Sequence, residues 1–117
     1  MANSVNKVIL IGHLGADPDF KTLDSGTKLC RFSIATSEKY TTKGGDRVEH
    51  TEWHSVVSWG GLADIANNLL KKGDMVYVEG KIRQRSWEDP ETKVTKYSFE
   101  ILAEALNVLQ KKERKEA

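Results

Sequence analysis

TEWHSVVSWGGLADIANNLLKKGDMVYVEGKIRQRSW, residues 51–87, is the stretch on which the fold turns. It alternates like a strand, then repeats like a helix, then returns to alternation. In its first part Trp53 and Trp59 stand six residues apart. That even spacing puts both on one face of a strand, together with Ser55 and Val57. The middle part carries Leu62, Ile65, Ala66, Leu69 and Leu70 at i, i+3, i+4, i+7 and i+8, one apolar stripe of a helix. Asp64 in the first turn, Lys71 and Lys72 in the last, and Gly73 beyond them suit the helix dipole and a C-terminal cap. In the last part Val76, Val78, Gly80 and Ile82 form an inner face, with Tyr77, Glu79, Lys81, Arg83, Arg85 and Trp87 opposite.

Working outward, Val5 to Ile11 reads as a strand with apolar residues on both sides: Val5, Ile9 and Ile11 on one, Val8 and Leu10 beside Asn6 on the other. One side can meet the core; the second needs another covering layer, and self-association supplies it most economically. GADPDF and LDSGTK are turn-rich, and FKTL between them can add a short strand. In KLCRFSIATSEKY, Cys30, Phe32 and Ile34 alternate with Arg31, Ser33 and Ala35, a half-buried strand. TTKGGDRVEH is a polar hairpin tip and EDPETKVT a loop around Pro90. KYSFEILAEALNVL closes the chain with Tyr97, Phe99, Ile101 and Ala103 in phase. Strand, strand, strand, helix, strand, strand is the element pattern of an all-β OB-fold. That fold is a five-stranded Greek-key barrel, here with one helix between strands 3 and 4.

A chain of 117 residues fits one domain. We read residues 1–110 as that domain and KKERKEA, 111–117, as a short charged end expected to fray. No apolar run is long enough to span a bilayer, and the N-terminus reads as a strand rather than a signal peptide. Cys30 is in phase with the core and reads as a small hydrophobe, so a reducing, cytoplasmic setting is expected. Net charge is +1. Residues 71–85, however, hold Lys71, Lys72, Lys81, Arg83 and Arg85 against Asp74 and Glu79, five minus two, a local +3. Such a stripe has the form of a binding face for anions or of a solvated edge. No P-loop, HExxH motif or nucleophile elbow is present, and the acidic residues form no paired site, so the chain reads as a binder without catalysis. His50 and His54 share a strand face with no further ligands at suitable spacing, so neither metal nor cofactor is expected.

The two strands flanking the helix each present an unusual outer face. Trp53 and Trp59 are roughly 20 Å apart at about 3.3 Å per residue. They cannot stack on each other, but they can stack on separate bases of one strand. Trp87 follows Arg85 in phase, beyond the last inward apolar residue. Flat aromatics accept any base, and interleaved cations track phosphates. One tryptophan alone could equally close the end of a barrel; three among arginines favour the binding face. Tyr40 is either a platform at a hairpin tip or an ordinary surface tyrosine. A protein-interaction OB module has no use for Trp87 among arginines, and an oligosaccharide binder needs no cationic stripe.

VNKVILIGHLGADP, FSIATSEKY, TEWHSVVSWG and VYVEGKIRQRSWED together resemble the bacterial single-stranded-DNA-binding protein family, over roughly residues 4–110. The resemblance implies a homotetramer of OB-folds that binds and protects single-stranded DNA during replication, recombination and repair. In that setting the protein would be cytoplasmic and associated with the nucleoid. It implies base stacking by Tyr40, Trp53, Trp59 and Trp87 and backbone contacts from Lys72, Arg83 and Arg85. Lys81 rests on alternation alone. The first strand, with Val5, Asn6, Val8 and Leu10, matches the segment that pairs across a dimer, and His54 matches a subunit-interface histidine. A dimeric primosomal relative is the alternative, one that depends less on the full aromatic set. Ser55 and Gly61 stand where some relatives carry basic residues, so a lower affinity or a shallower salt response is expected. Familiar members continue into a long linker with an acidic tip that recruits replication and repair proteins. The sequence stops at KKERKEA, so such recruitment is not carried over.

Overall fold

The computed structural model describes residues 3–112. Within them run β1 (Val8–Leu14), β2 (Asp19–Thr22), β3 (Lys28–Thr41), β4 (Arg47–Trp59), α1 (Gly61–Leu69), β5 (Met75–Glu88) and β6 (Thr95–Gln110). The strands neighbour one another in the order β1-β5-β6-β4-β3-β2, and β1 also pairs with β3. Those pairings close β1, β5, β6, β4 and β3 into a five-stranded barrel, with short β2 added at the edge of β3. Discounting β2, the helix falls between the third and fourth barrel strands, as the element pattern implies. The β4–β6 pair is parallel and the other pairs are antiparallel.

Alternation explains the core. Cys30, Phe32 and Ile34 of β3 turn inward against Val56 of β4, Val76 and Val78 of β5, and Ile101 and Ala103 of β6. Burial pushes the Cys30 thiol up to about 11, with the charge of Asp19 adding to it. The thiol is therefore protonated at neutral pH and acts as packing material. Closure happens where β1 crosses β3 at His13↔Ala35 and Leu14↔Ile34. A Cβ on Gly12 would overlap the carbonyl oxygen of Ala35 there, so only glycine lets the two backbones approach.

The helix plugs the barrel on a different stripe from the expected one. Ala63, Ala66 and Leu70 are buried, whereas Ile65 and Leu69 are nearly half exposed. Two alanines let the helix backbone lie close to the barrel, which rotates the larger residues to the side. The helix also ends at Leu69; Leu70 is extended and drops into the core. Gly73, at φ 90°, then makes the turn into β5. Asp74 beside it is fully buried and accepts from the backbone N–H of Lys71 and of Lys112 (both 3.0 Å) and from Lys111 Nζ (3.1 Å). Burial pushes its pKa up, but these bonds, led by that of the Lys112 N–H, outweigh burial and hold the carboxyl below its ordinary range. The end of β6 is thereby fastened to the helix exit. Of the charged end 111–117, residues 113–117 lie outside the described residues.

Strand boundaries differ from expectation: β4 begins at Arg47, inside the segment TTKGGDRVEH read as a hairpin tip, because the β3–β4 ribbon stays paired up to Thr41↔Arg47. The first strand runs from Val8 to Leu14 rather than from Val5 to Ile11. Ahead of it, the Asn6 side chain accepts from the Ile82 N–H (2.9 Å) and donates to the Ile82 carbonyl (2.8 Å). A side-chain amide thus takes the place of backbone pairing with β5. Ile82, expected on the inner face, is half exposed, and Tyr97 and Phe99 on the partner strand are about two thirds exposed. Past the Ile82↔Ile101 pair the β5–β6 hairpin continues beyond the barrel body, so the inward-phase residues Phe99 and Tyr97 find no core to enter.

Candidate nucleic-acid interface

Residues directly opposite each other in a sheet point to the same side. On β3–β4 the pairs Leu29↔Trp59, Arg31↔Val57, Ser33↔Ser55 and Ala35↔Trp53 share the outer side. The core side carries Cys30↔Ser58, Phe32↔Val56 and Ile34↔His54. The parallel partners Val57↔Leu102 carry the outer side onto β6. The pairs Lys81↔Leu102, Arg83↔Glu100, Arg85↔Ser98 and Trp87↔Lys96 then carry it onto β5. The outer faces of β3, β4, β6 and β5 therefore form one continuous surface holding all three tryptophans, Lys81, Arg83 and Arg85.

Each indole is left partly open. Trp53 is 60% exposed, Trp87 42% and Trp59 37%. The Trp53 ring lies on the backbone of Gly15: a Cβ there would sit 2.7 Å from Cη2 and closer still to Cζ3. The benzo edge of that indole is thus set close against Gly15, while the ring as a whole stays accessible. The Arg85 guanidinium stands 5.6 Å from the centroid of the Trp87 ring, within cation–π range. Trp59 ends β4 at the opposite extreme of the row.

The other residues singled out in the sequence lie elsewhere. Tyr40 pairs with Val48, on the opposite parity from Trp53, near the tip of the long β3–β4 ribbon. It is exposed and, with Lys39 and Arg47, lines an open depression of about 430 Å³. Lys72 lies in the loop after α1, its backbone N–H donating to Asp17 Oδ1 at 2.9 Å. His54 takes the core-side parity, and its Nε2 lies 2.8 Å from Thr36 Oγ1. It borders a groove of about 440 Å³ shared with Trp53, Ile82 and Phe99. Val8 and Leu10 pack against the core of their own chain, whereas Val5, Ile9 and Ile11 are exposed. Among the described residues, β1 outside His13 and Leu14 is paired only with β5, leaving its other edge open. His50 and Glu52 are 2.6 Å apart, and the histidine holds the Glu52 carboxyl below its ordinary range. Among the described residues no group of three or more His, Cys, Asp or Glu side chains could hold a metal ion.

Sequence reading missed one pair. Arg31 Nη1 lies 2.6 Å from Glu100 Oε2, in the middle of the outer surface. Sixty-nine residues separate the partners, and each looked locally like the polar phase of a strand.

Residues 5–109 match the Single-strand binding protein family. Single-stranded DNA-binding protein 1 of Chlorobaculum tepidum is 46% identical over 113 residues, covering 97% of this chain and 70% of that protein. Single-stranded DNA-binding protein 1 of Xylella fastidiosa is 46% identical over 111 residues, covering 94% of this chain and 81% of that one. Among solved structures, Plasmodium falciparum SSB in complex with ssDNA superposes with a TM-score of 0.83 at 32% identity, covering 94% of this chain and 99% of that one.

Proposed function

We propose, from the premise that this chain belongs to the single-strand binding protein family, that it binds single-stranded DNA irrespective of sequence. It is a binding protein, not an enzyme. One observation carries the reading: three indoles, each between a third and two thirds exposed, lie on one β-surface with arginines between them. Bases stack on Trp53, Trp59 and Trp87 at roughly 1–3 kcal/mol each, whatever their identity. Lys81, Arg83 and Arg85 follow the phosphates, and Arg85 also firms the Trp87 platform. Lys72 would extend the path beyond the helix, and Tyr40 would take a base where the strand passes to the other side of the β3–β4 ribbon.

In the cell this activity protects single strands exposed in replication, recombination and repair, in the cytoplasm at the nucleoid. We further propose a homotetramer. The open edge of β1 and its exposed Val5, Ile9 and Ile11 support self-pairing, because an unpaired edge with apolar side chains invites another strand. His54 and Asn6 would lie near that contact.

Intrinsic tryptophan fluorescence tests the reading. Oligo-dT is expected to quench strongly, duplex DNA weakly and a neutral glycan not at all, with affinity falling as salt rises. Absence of quenching by oligo-dT at low salt rejects it.

A further inference from the structure

Val57 belongs to the same outward row as Trp53 and Trp59, yet it is fully buried. Its flanking strands explain why. Arg31 is its cross-strand partner on β3. On the other flank, the pair Val56↔Ile101 sets Glu100 of β6 beside Ser55, on the outer side. β3 and β6 are two strand spacings apart, roughly 10 Å. To close a 2.6 Å ion pair with Glu100, the Arg31 side chain must lie across β4 between Val57 and Ser55. Its stem covers Val57. Its guanidinium ends at the level of residue 56, midway along the row between the two indoles.

Resting on the function proposed above, we propose that Arg31 is a further single-strand contact, a planar stacking platform between Trp53 and Trp59, with Glu100 as its positioning residue. The interval of roughly 20 Å between those indoles is too long for one base to bridge. The Arg31 side chain keeps 31% of its surface exposed, and Glu100 keeps only 10%. The carboxylate is thus withdrawn beneath the surface while about a third of the Arg31 side chain is presented. A guanidinium plane accepts a base face as an aromatic ring does. A charge-assisted bond fixes that plane beforehand, so little rotamer freedom remains to be lost on binding. Because Glu100 neutralises it, the platform adds stacking without adding a phosphate contact.

Arg31→Lys separates plane from charge and keeps a stem over Val57. Wild type, Arg31→Lys, Arg31→Ala and Glu100→Gln are titrated with oligo-dT by tryptophan quenching across a salt series, with thermal melting of each as the folding control. Arg31→Lys is expected to bind about five- to tenfold more weakly at every salt concentration, the lower part of the range for one stacked base, with an unchanged salt slope. Glu100→Gln frees the cation and is expected to steepen the slope by about 0.7. Arg31→Lys or Arg31→Ala binding as tightly as wild type does overturns the platform. Should Arg31→Lys melt early, Glu100→Gln decides alone, an unchanged slope counting against the proposal. Wild type unquenched by oligo-dT rejects the function itself, whereas a quenched wild type with an indifferent Arg31→Lys rejects only this role.

Discussion

Gly15→Ala separates binding from folding at a single atom. The added methyl would stand 2.7 Å from Trp53 Cη2, and ordinary contact begins at 3.4 Å, so that ring atom must retreat by about 0.7 Å and Cζ3 by more. The indole is 60% exposed and free to swing outward, so the retreat costs the fold little. Gly15 is not among the residues with positive φ, so alanine meets no backbone strain and narrows the unfolded ensemble, worth about 0.4–1 kcal/mol of stability. Binding has no such relief. Stacking needs the ring plane in place, and its displacement is expected to remove much of a contribution of about 1–3 kcal/mol, at least a fivefold loss of oligo-dT affinity. Thermal melting and fluorescence titration, run on Gly15→Ala, Trp53→Ala and the double variant, give the thermodynamic cycle. Gly15→Ala is expected to melt no earlier than wild type, to bind more weakly, and to add nothing in the Trp53→Ala background. An equal affinity loss in that background, or wild-type affinity in the single variant, refutes the reasoning.

Arg83→Ala and Arg85→Ala are each expected to reduce the salt slope of oligo-dT binding by about 0.7, and Arg85→Ala also to change Trp87 emission, because its guanidinium sits over that ring. Asp74→Asn is expected to destabilise the fold by roughly 1–3 kcal/mol in denaturant titrations, since buried donors from Lys71 and Lys112 lose a charged acceptor. The folded pKa of Asp74 lies below its unfolded value. Its contribution is therefore complete above the ordinary carboxylate range and lost as pH falls through the lower folded value, so the stability–pH profile of Asp74→Asn is expected to be flatter there than that of wild type. Ile9→Lys places an ammonium opposite Glu79 in register. It is expected to reduce the mass measured by light scattering while the monomer stays folded; an unchanged mass counts against β1 as the contact.

Much of this was legible in the sequence because alternation is a local signal. Cys30, Phe32 and Ile34 point inward as their spacing implies, and Trp53 and Trp59 share the outer side because no bulge interrupts β3–β4. What alternation cannot mark is where a barrel ends and a free ribbon begins. Ile82, Tyr97 and Phe99 keep the inward phase yet stay exposed, since the β5–β6 hairpin outruns the core. Helix periodicity found α1 but not its rotation, which Ala63 and Ala66 set through close packing rather than hydrophobicity. The side taken by Tyr40 depends on hairpin register across the loop at residues 42–46. The Arg31–Glu100 pair depends on a β4–β6 adjacency that only the closed topology creates.

The side-chain amide resonances of the three indoles, followed in a 15N-labelled sample, test the central claim most directly. On titration with oligo-dT the Nε1–H signals of Trp53, Trp59 and Trp87 are all expected to shift and saturate together, and to move far less with duplex DNA. Saturating oligo-dT that leaves those of Trp53 and Trp59 unmoved would contradict a single-strand path along this face.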